Sequence, residues 1–180
     1  MKDNAIKSVV ATGIGAALFV VIGMIRVPVA VPNTQIQLQY ALQALFSLIF
    51  GPIVGFLIGF IGHAVKDMFT DGQIWWFWVI GSGVFGLVLG FVRNLFKIRE
   101  GIFTKKDIVK FNIIQIIANL FFVVVSPLGD ILLANEPLNK VILQGTWAFG
   151  VNSLVVGILG TTLIIAYTNT QTKIGSLRKE

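Results

Sequence analysis

GPIVGFLIGFIGHAVKD, residues 51–67, combines features that one helix rarely carries together. Gly51, Gly55, Gly59 and Gly62 recur at spacings of four or three, and the segment then delivers the chain's single histidine, His63, followed by Lys66 and Asp67. In a membrane span, small residues recurring on one face let another helix backbone approach closely. Proline suits the start of a helix, where its missing N–H has no intrahelical partner to lose. Gly51-Pro52 therefore reads as a tight break that folds the apolar runs 38–50 and 52–65 into a helical hairpin.

The rest of the chain supports a membrane setting. Of its 180 residues 56% are hydrophobic and 12% charged, against about 25% charged in an ordinary soluble domain, and the mean hydropathy is +0.87. Apolar runs fall near 5–25, 38–50, 52–65, 75–96, 108–128 and 139–168. Backbone polar groups must bond internally in lipid, so the expected fold is an all-α integral membrane protein. Its six transmembrane helices would form a single membrane domain over residues 1–180. Lysines ahead of an apolar run also open signal peptides, but the run from Val9 to Ile25 is long enough to span and no convincing small-residue cleavage site follows. With no cysteine and one histidine, disulfides, thiol chemistry and a protein-built transition-metal site are excluded. No metal and no cofactor is expected.

Orientation follows from the Lys and Arg residues at helix ends. A cytoplasmic N-terminus leaves Arg26, Lys66 and Lys140 outside and the other eleven inside, from Lys2 and Lys7 through the Arg93–Lys110 group to Lys173, Arg178 and Lys179. Both termini are then cytoplasmic. The net charge of +6 is this bias and requires no nucleic acid.

One motif misleads. GSGVFG, with Gly81, Gly83 and Gly86, matches G-x-G-x-x-G letter for letter, yet that fingerprint needs a preceding strand and a helix N-terminus aimed at pyrophosphate. Here it lies within an apolar helix. The chain also has no Walker A sequence, G-x-S-x-G or H-E-x-x-H, so neither ATP hydrolysis nor another enzymatic activity is expected.

Four groups of residues stand out. On the first helix the pairs Ala11/Gly15 and Gly13/Ala17 make a strip of small side chains, suited to packing inside this protein or to docking a separate membrane partner. At the external end of the third helix His63 and Asp67 lie four apart and can touch, either as an interfacial pair with Lys66 or as part of a site. Trp75, Trp76 and Trp78 open the fourth helix on successive faces; an aromatic belt explains rings at the interface, but at least one should point inward, able to stack on a planar ligand. Carboxamides follow within apolar stretches: Gln115 and Asn119, then Gln144 and Asn152 with Trp147 close by. They are costly in lipid and should face the bundle interior, bonding one another or a polar heterocycle. The first external loop, RVPVAVPNTQIQLQY, brings two prolines and the polar run Asn33, Thr34, Gln35, Gln37, Gln39 and Tyr40, stiff enough for a lid.

These stretches, from ATGIGAALFVV through VPNTQIQLQYALQALFSLIFGPIVGFLIGFIGHAVKD to WWFWVIGSGVFGL, resemble the substrate-binding S components of energy-coupling factor (ECF) vitamin transporters. The resemblance covers essentially the whole chain and is nearest to the riboflavin-type and hydroxymethylpyrimidine-type subgroup. It implies a multi-pass protein of the bacterial cell membrane that binds a vitamin near the outer surface. It further implies work with a transmembrane coupling protein and two cytoplasmic ATPases supplied by other chains. Family members typically dock through an Ala-x-x-x-Ala strip on the first helix; here Ala11/Gly15 and Gly13/Ala17 stand in its place. Tyr40, His63, Asp67, Trp75, Trp78, Asn119, Gln144, Trp147 and Asn152 are the expected substrate-binding residues. An aromatic, amide-rich site with few charges suits a neutral planar ring, a pyrimidine or flavin, better than a dicarboxylate such as folate. The alternative is a stand-alone carrier in which His63 and Asp67 relay a proton.

Overall fold

The computed structural model describes residues 2–171 except 26, 28, 30, 32 and 33, and excludes the side chains of 2–4, 133 and 134. Arg26, Pro28, Pro32 and Asn33 of the first loop, and Lys173, Arg178 and Lys179, lie outside the described residues, as does the side chain of Lys2.

The described residues form α-helices and no strand. These are α1 (Lys2–Gly23), α2 (Gln39–Phe50), α3 (Pro52–Thr70), α4 (Trp76–Phe91), α5 (Lys105–Asn119), α6 (Phe121–Ala134), α7 (Leu138–Val155) and α8 (Thr161–Thr170). Five stretches are long and apolar enough to cross a membrane: Ala5–Gly23, Pro52–Thr70, Trp76–Leu95, Lys105–Leu132 and Leu138–Thr170. The fifth and sixth apolar runs are each broken within the helix. Leu120 separates α5 from α6, and a π-helical turn, Val156–Gly160, joins α7 to α8. α6 continues past residue 128 to Ala134 with Pro127 inside it. A proline there removes one backbone bond, which membrane helices tolerate where neighbours cover the freed groups. α7 packs closely here at Gly145, whose missing side chain leaves room for Pro127 and the Phe122 carbonyl.

α2, 12 residues long, reaches only about 18 Å at 1.5 Å per residue. It sits inside the bundle, with Tyr40, Ala41, Ala44 and Leu48 all buried. Gly51 between α2 and α3 has φ 100, a left-handed value natural only to glycine, and Arg93 covers the turn by donating from Nη1 to the Phe50 carbonyl at 2.9 Å.

The glycines of α3 meet those of α4. A Cβ on Gly55 would collide with Ser47 Oγ and the Gly86 carbonyl, one on Gly86 with the Gly55 carbonyl, and one on Gly90 with Pro52. The two backbones touch along this seam. Into it α2 inserts Gln43, fully buried, whose Nε2 donates to the carbonyls of Gly55 at 3.0 Å and Ser82 at 2.7 Å. The glycines of GSGVFG thus serve helix packing: besides Gly86, Gly83 meets Phe56 and Gly81 meets Phe122 and Ser126.

Candidate functional site

Where α3 ends and α4 begins, the bundle opens into a cavity of about 630 Å³, within the range of small-molecule sites. α3 contributes His63, Lys66 and Asp67 to its wall, all at most 6% exposed. Asp67 organises this corner. Its Oδ1 lies 3.2 Å from His63 Nε2 and 3.1 Å from Lys66 Nζ, while Oδ2 accepts the backbone N–H of Trp75 at 3.2 Å. One carboxylate therefore ties the end of α3 to the start of α4 across the Asp71–Gly72 turn.

From His63 the network runs inward. His63 Nδ1 and Tyr40 Oη each lie 2.6 Å from Ser82 Oγ, and Ser82 reaches its own helix at the Trp78 carbonyl, 3.0 Å away. The hydrogens obey a simple inventory. A carboxylate only accepts, so His63 Nε2 carries a hydrogen. If the imidazole is neutral, Nδ1 accepts the Ser82 hydroxyl proton; if it is imidazolium, Nδ1 donates and Ser82 gives its proton to the Trp78 carbonyl. Either way the chain Tyr40, Ser82, His63, Asp67 is continuous and buried.

An aromatic wall adjoins it. Trp78 stacks on Phe122 with centroids 6.3 Å apart and an interplanar angle of 21°, and Tyr40 meets Phe122 edge-on at 5.2 Å. Trp75 and Trp78 line the cavity. Trp76 instead turns outward, 53% exposed, and packs against Phe60. The Trp78 indole donates to Asp130 Oδ2 at 2.6 Å, a residue of α6 that lines the same space. Two further contacts hold α4 to α6 next to this bond. Ser126 Oγ donates to the Phe77 carbonyl at 3.2 Å, and the Phe77 ring fills the place a side chain on Gly129 would take.

α7 adds Gln144, Ala148 and Asn152 to the lining. Beside it Lys140 pairs with Glu136 at 2.7 Å. Thr34, Gln35 and Gln37 from the first loop complete the lining.

Tyr40, His63, Asp67, Trp75, Trp78, Gln144 and Asn152 thus meet at one cavity, and Asn119 and Trp147 do not line it. Asn119, fully buried, turns back one helical turn and donates from Nδ2 to the Gln115 carbonyl and to Gln115 Oε1, both at 2.9 Å. Gln115 in turn donates to the Ser153 carbonyl at 3.0 Å, so this amide pair joins α5 to α7. On α1 the two small pairs part company. Ala11 and Gly15 are buried and Gly13 and Ala17 exposed; a Cβ on Gly15 would collide with Ile58 of α3, whereas one on Gly13 would meet nothing.

Sequence reasoning missed Asp130, Phe122 and Ser82. Asp130 has the clearest signal in retrospect: a carboxylate within an apolar run that continues beyond Pro127.

Comparison with known proteins covers nearly the whole chain. A UPF0397 protein of Streptococcus sanguinis (strain SK36) is 60% identical over 180 residues, 100% of both chains. The UPF0397 protein YdcD of Lactococcus lactis subsp. lactis (strain IL1403) is 54% identical over 182 residues, again 100% of both. No solved structure matches. The profile of the ECF-type riboflavin transporter S component matches residues 3–169. With that match spanning its helices and its cavity, the chain belongs to the S components of ECF transporters, as a multi-pass membrane protein and substrate-specific transporter subunit.

Proposed function

We propose that the cavity takes up a neutral planar vitamin or precursor, hydroxymethylpyrimidine or riboflavin, from outside the bacterial cell membrane. A separate transmembrane coupling protein and two cytoplasmic ATPases then drive its delivery. In this reading the chain crosses the membrane six times with both termini cytoplasmic. The α3–α4 end of the bundle faces outward, and α2 makes the short crossing. The observation that carries it is the Trp78–Phe122 stack beside Gln144 and Asn152 in a cavity of about 630 Å³: a flat apolar face with amides at its edge suits a ring with polar heteroatoms. Titration of purified protein with each compound, followed by tryptophan fluorescence, is expected to show saturable quenching with one of them. The absence of any response to either would overturn the substrate class.

The buried Tyr40–Ser82–His63–Asp67 chain supports a second reading, a stand-alone proton-coupled carrier. Uptake by the chain in proteoliposomes lacking any ATPase would establish it. Co-purification with a coupling protein and ATPases, with no uptake in their absence, would eliminate it.

A further inference from the structure

The charges on the cavity wall do not balance. Among the described residues four carboxylates, Asp67, Asp71, Asp130 and Glu136, line it against two ammonium groups, Lys66 and Lys140. Both ammonium groups are engaged, Lys66 with Asp67 at 3.1 Å and Lys140 with Glu136 at 2.7 Å. Asp130 is 7% exposed, and no Lys, Arg or His of the described residues pairs with it. Its Oδ2 takes the Trp78 indole proton at 2.6 Å. Its Oδ1 takes no hydrogen bond from the described residues and is not sealed off by them. Three residues bear on this carboxylate. Trp78 reaches it from α4, Glu136 follows it with its own N–H on the Asp130 carbonyl at 3.1 Å, and Lys140 of α7 offsets Glu136. A buried carboxylate without a counter-charge is costly, and a ligand cation supplies one.

We propose that Asp130 is the counter-charge of the site: a weakly basic amino-substituted azine, neutral in bulk water at physiological pH, binds as its ring-protonated cation with the ring N–H⁺ on Asp130 Oδ1. This rests on the cavity being the ligand site, as argued above, and names the kind of planar ring it selects. The proton comes from bulk water, and only the N–H bond forms. An opposite charge a few ångströms away favours the charged form of a titrating group, and the resulting hydrogen bond is charge-assisted. The aromatic wall acts in the same direction. The indole bond sets the carboxylate at the edge of Trp78, so a cationic ring lying on the indole meets its π-electrons as well as the carboxylate. Riboflavin has no ring nitrogen basic enough to take this proton.

The probes are 4-amino-5-hydroxymethyl-2-methylpyrimidine, its far less basic isostere with methyl in place of the amino group, and riboflavin. Each is titrated by calorimetry into the full-length protein in lipid nanodiscs, in buffers of different ionisation enthalpy, at a pH well above that at which the free aminopyrimidine titrates. The aminopyrimidine is expected to take up about one proton per molecule bound, and its Kd to rise by about tenfold per pH unit there. Its isotopically labelled ring nitrogen should show the upfield NMR shift of an N–H⁺. The isostere should take up no proton.

Asp130→Asn should abolish the proton uptake and weaken aminopyrimidine binding by at least about tenfold, the range for losing a hydrogen bond to a charged group. Lys140→Met leaves Glu136 as a second uncompensated carboxylate and should tighten binding instead, which keeps the test open if Asp130→Asn does not fold. Aminopyrimidine binding without proton uptake, uptake matched by the isostere, or an unshifted ring nitrogen overturns the counter-charge and leaves the vitamin-binding reading intact. An affinity that Lys140→Met fails to raise, or that Asp130→Asn fails to lower, does so too, as does binding of riboflavin alone. If none of the three probes binds, the planar-ring reading falls and the counter-charge with it.

Discussion

The two halves of α3 solve opposite problems. From Gly51 to Gly62 the helix works by what it lacks: glycines on α3 and α4 bring backbone against backbone, with Gln43 and Ser47 of α2 as polar groups admitted to the seam. From His63 to Asp67 it works by what it carries, since each polar atom has a specific partner. The first half should therefore reject any added atom, while the second should tolerate changes of volume and reject changes of charge or hydrogen count. Packing density and electrostatics divide a single helix between stability and recognition.

The largest effect is expected at the seam. Overpacking a core costs about 1–3 kcal/mol and more where nothing can move, and in Gly55→Leu the first added carbon already collides with the Gly86 carbonyl. Monodisperse protein should not be recovered in detergent. Recovery with an unchanged melting temperature would show that the seam can open, and the contrast between the halves would collapse.

The polar half should respond next. Removing one member of a buried ion pair costs about 3–5 kcal/mol, because the other charge is left unpaired. In Asp67→Ala the stranded charge is Lys66, 3% exposed, and the Trp75 amide loses its acceptor as well. About 3 kcal/mol, the lower end of that range, is expected in thermal unfolding, with loss of ligand quenching. Asp67→Asn keeps volume and should recover part of the stability. If Asn recovers the stability in full, space and not charge governs this end.

Gln43→Leu probes the boundary between the two regimes. It removes two buried hydrogen bonds, each worth about 0.5–1.5 kcal/mol net, but also an Oε1 that has no partner. The two carbonyls it leaves behind belong to helical residues, so a net loss of about 1 kcal/mol is expected. A loss as large as that of Asp67→Ala would make the seam a polar device.

What could be read in advance was local. Hydropathy and the Gly51-Pro52 break carry the all-helical membrane architecture, because composition alone decides whether a backbone can lie in lipid. Which faces meet was not legible. The glycines of residues 51–62 and those of GSGVFG looked like separate features, yet they are two sides of one seam. Asn119 shared a pattern with Gln144 and Asn152, but an Asn within a helix can bond the preceding turn, and this one does. Asp130 escaped because it lies beyond the apolar run 108–128, whereas α6 continues through Pro127 to Ala134 with Gly145 accommodating the proline.

The smallest effect on folding is expected on α1, where the same contrast recurs between two faces of one helix. Ala11 and Gly15 are committed to the interior; Gly13 and Ala17 face outward with open space beyond Gly13. Substitutions at such exposed positions usually stay within about 0.5 kcal/mol. Gly13→Leu should therefore leave the melting temperature and ligand binding unchanged, while filling the surface along which a partner helix would approach. Under the proposed function, its complex with the coupling protein and uptake should both be lost. Gly15→Leu should do the reverse, lowering the melting temperature by crowding Ile58 before any partner is involved. Reconstitution of each variant with the coupling protein, read as complex yield against melting temperature, separates the faces. If Gly13→Leu assembles normally, the outward strip meets only lipid, and docking must use another surface of the bundle.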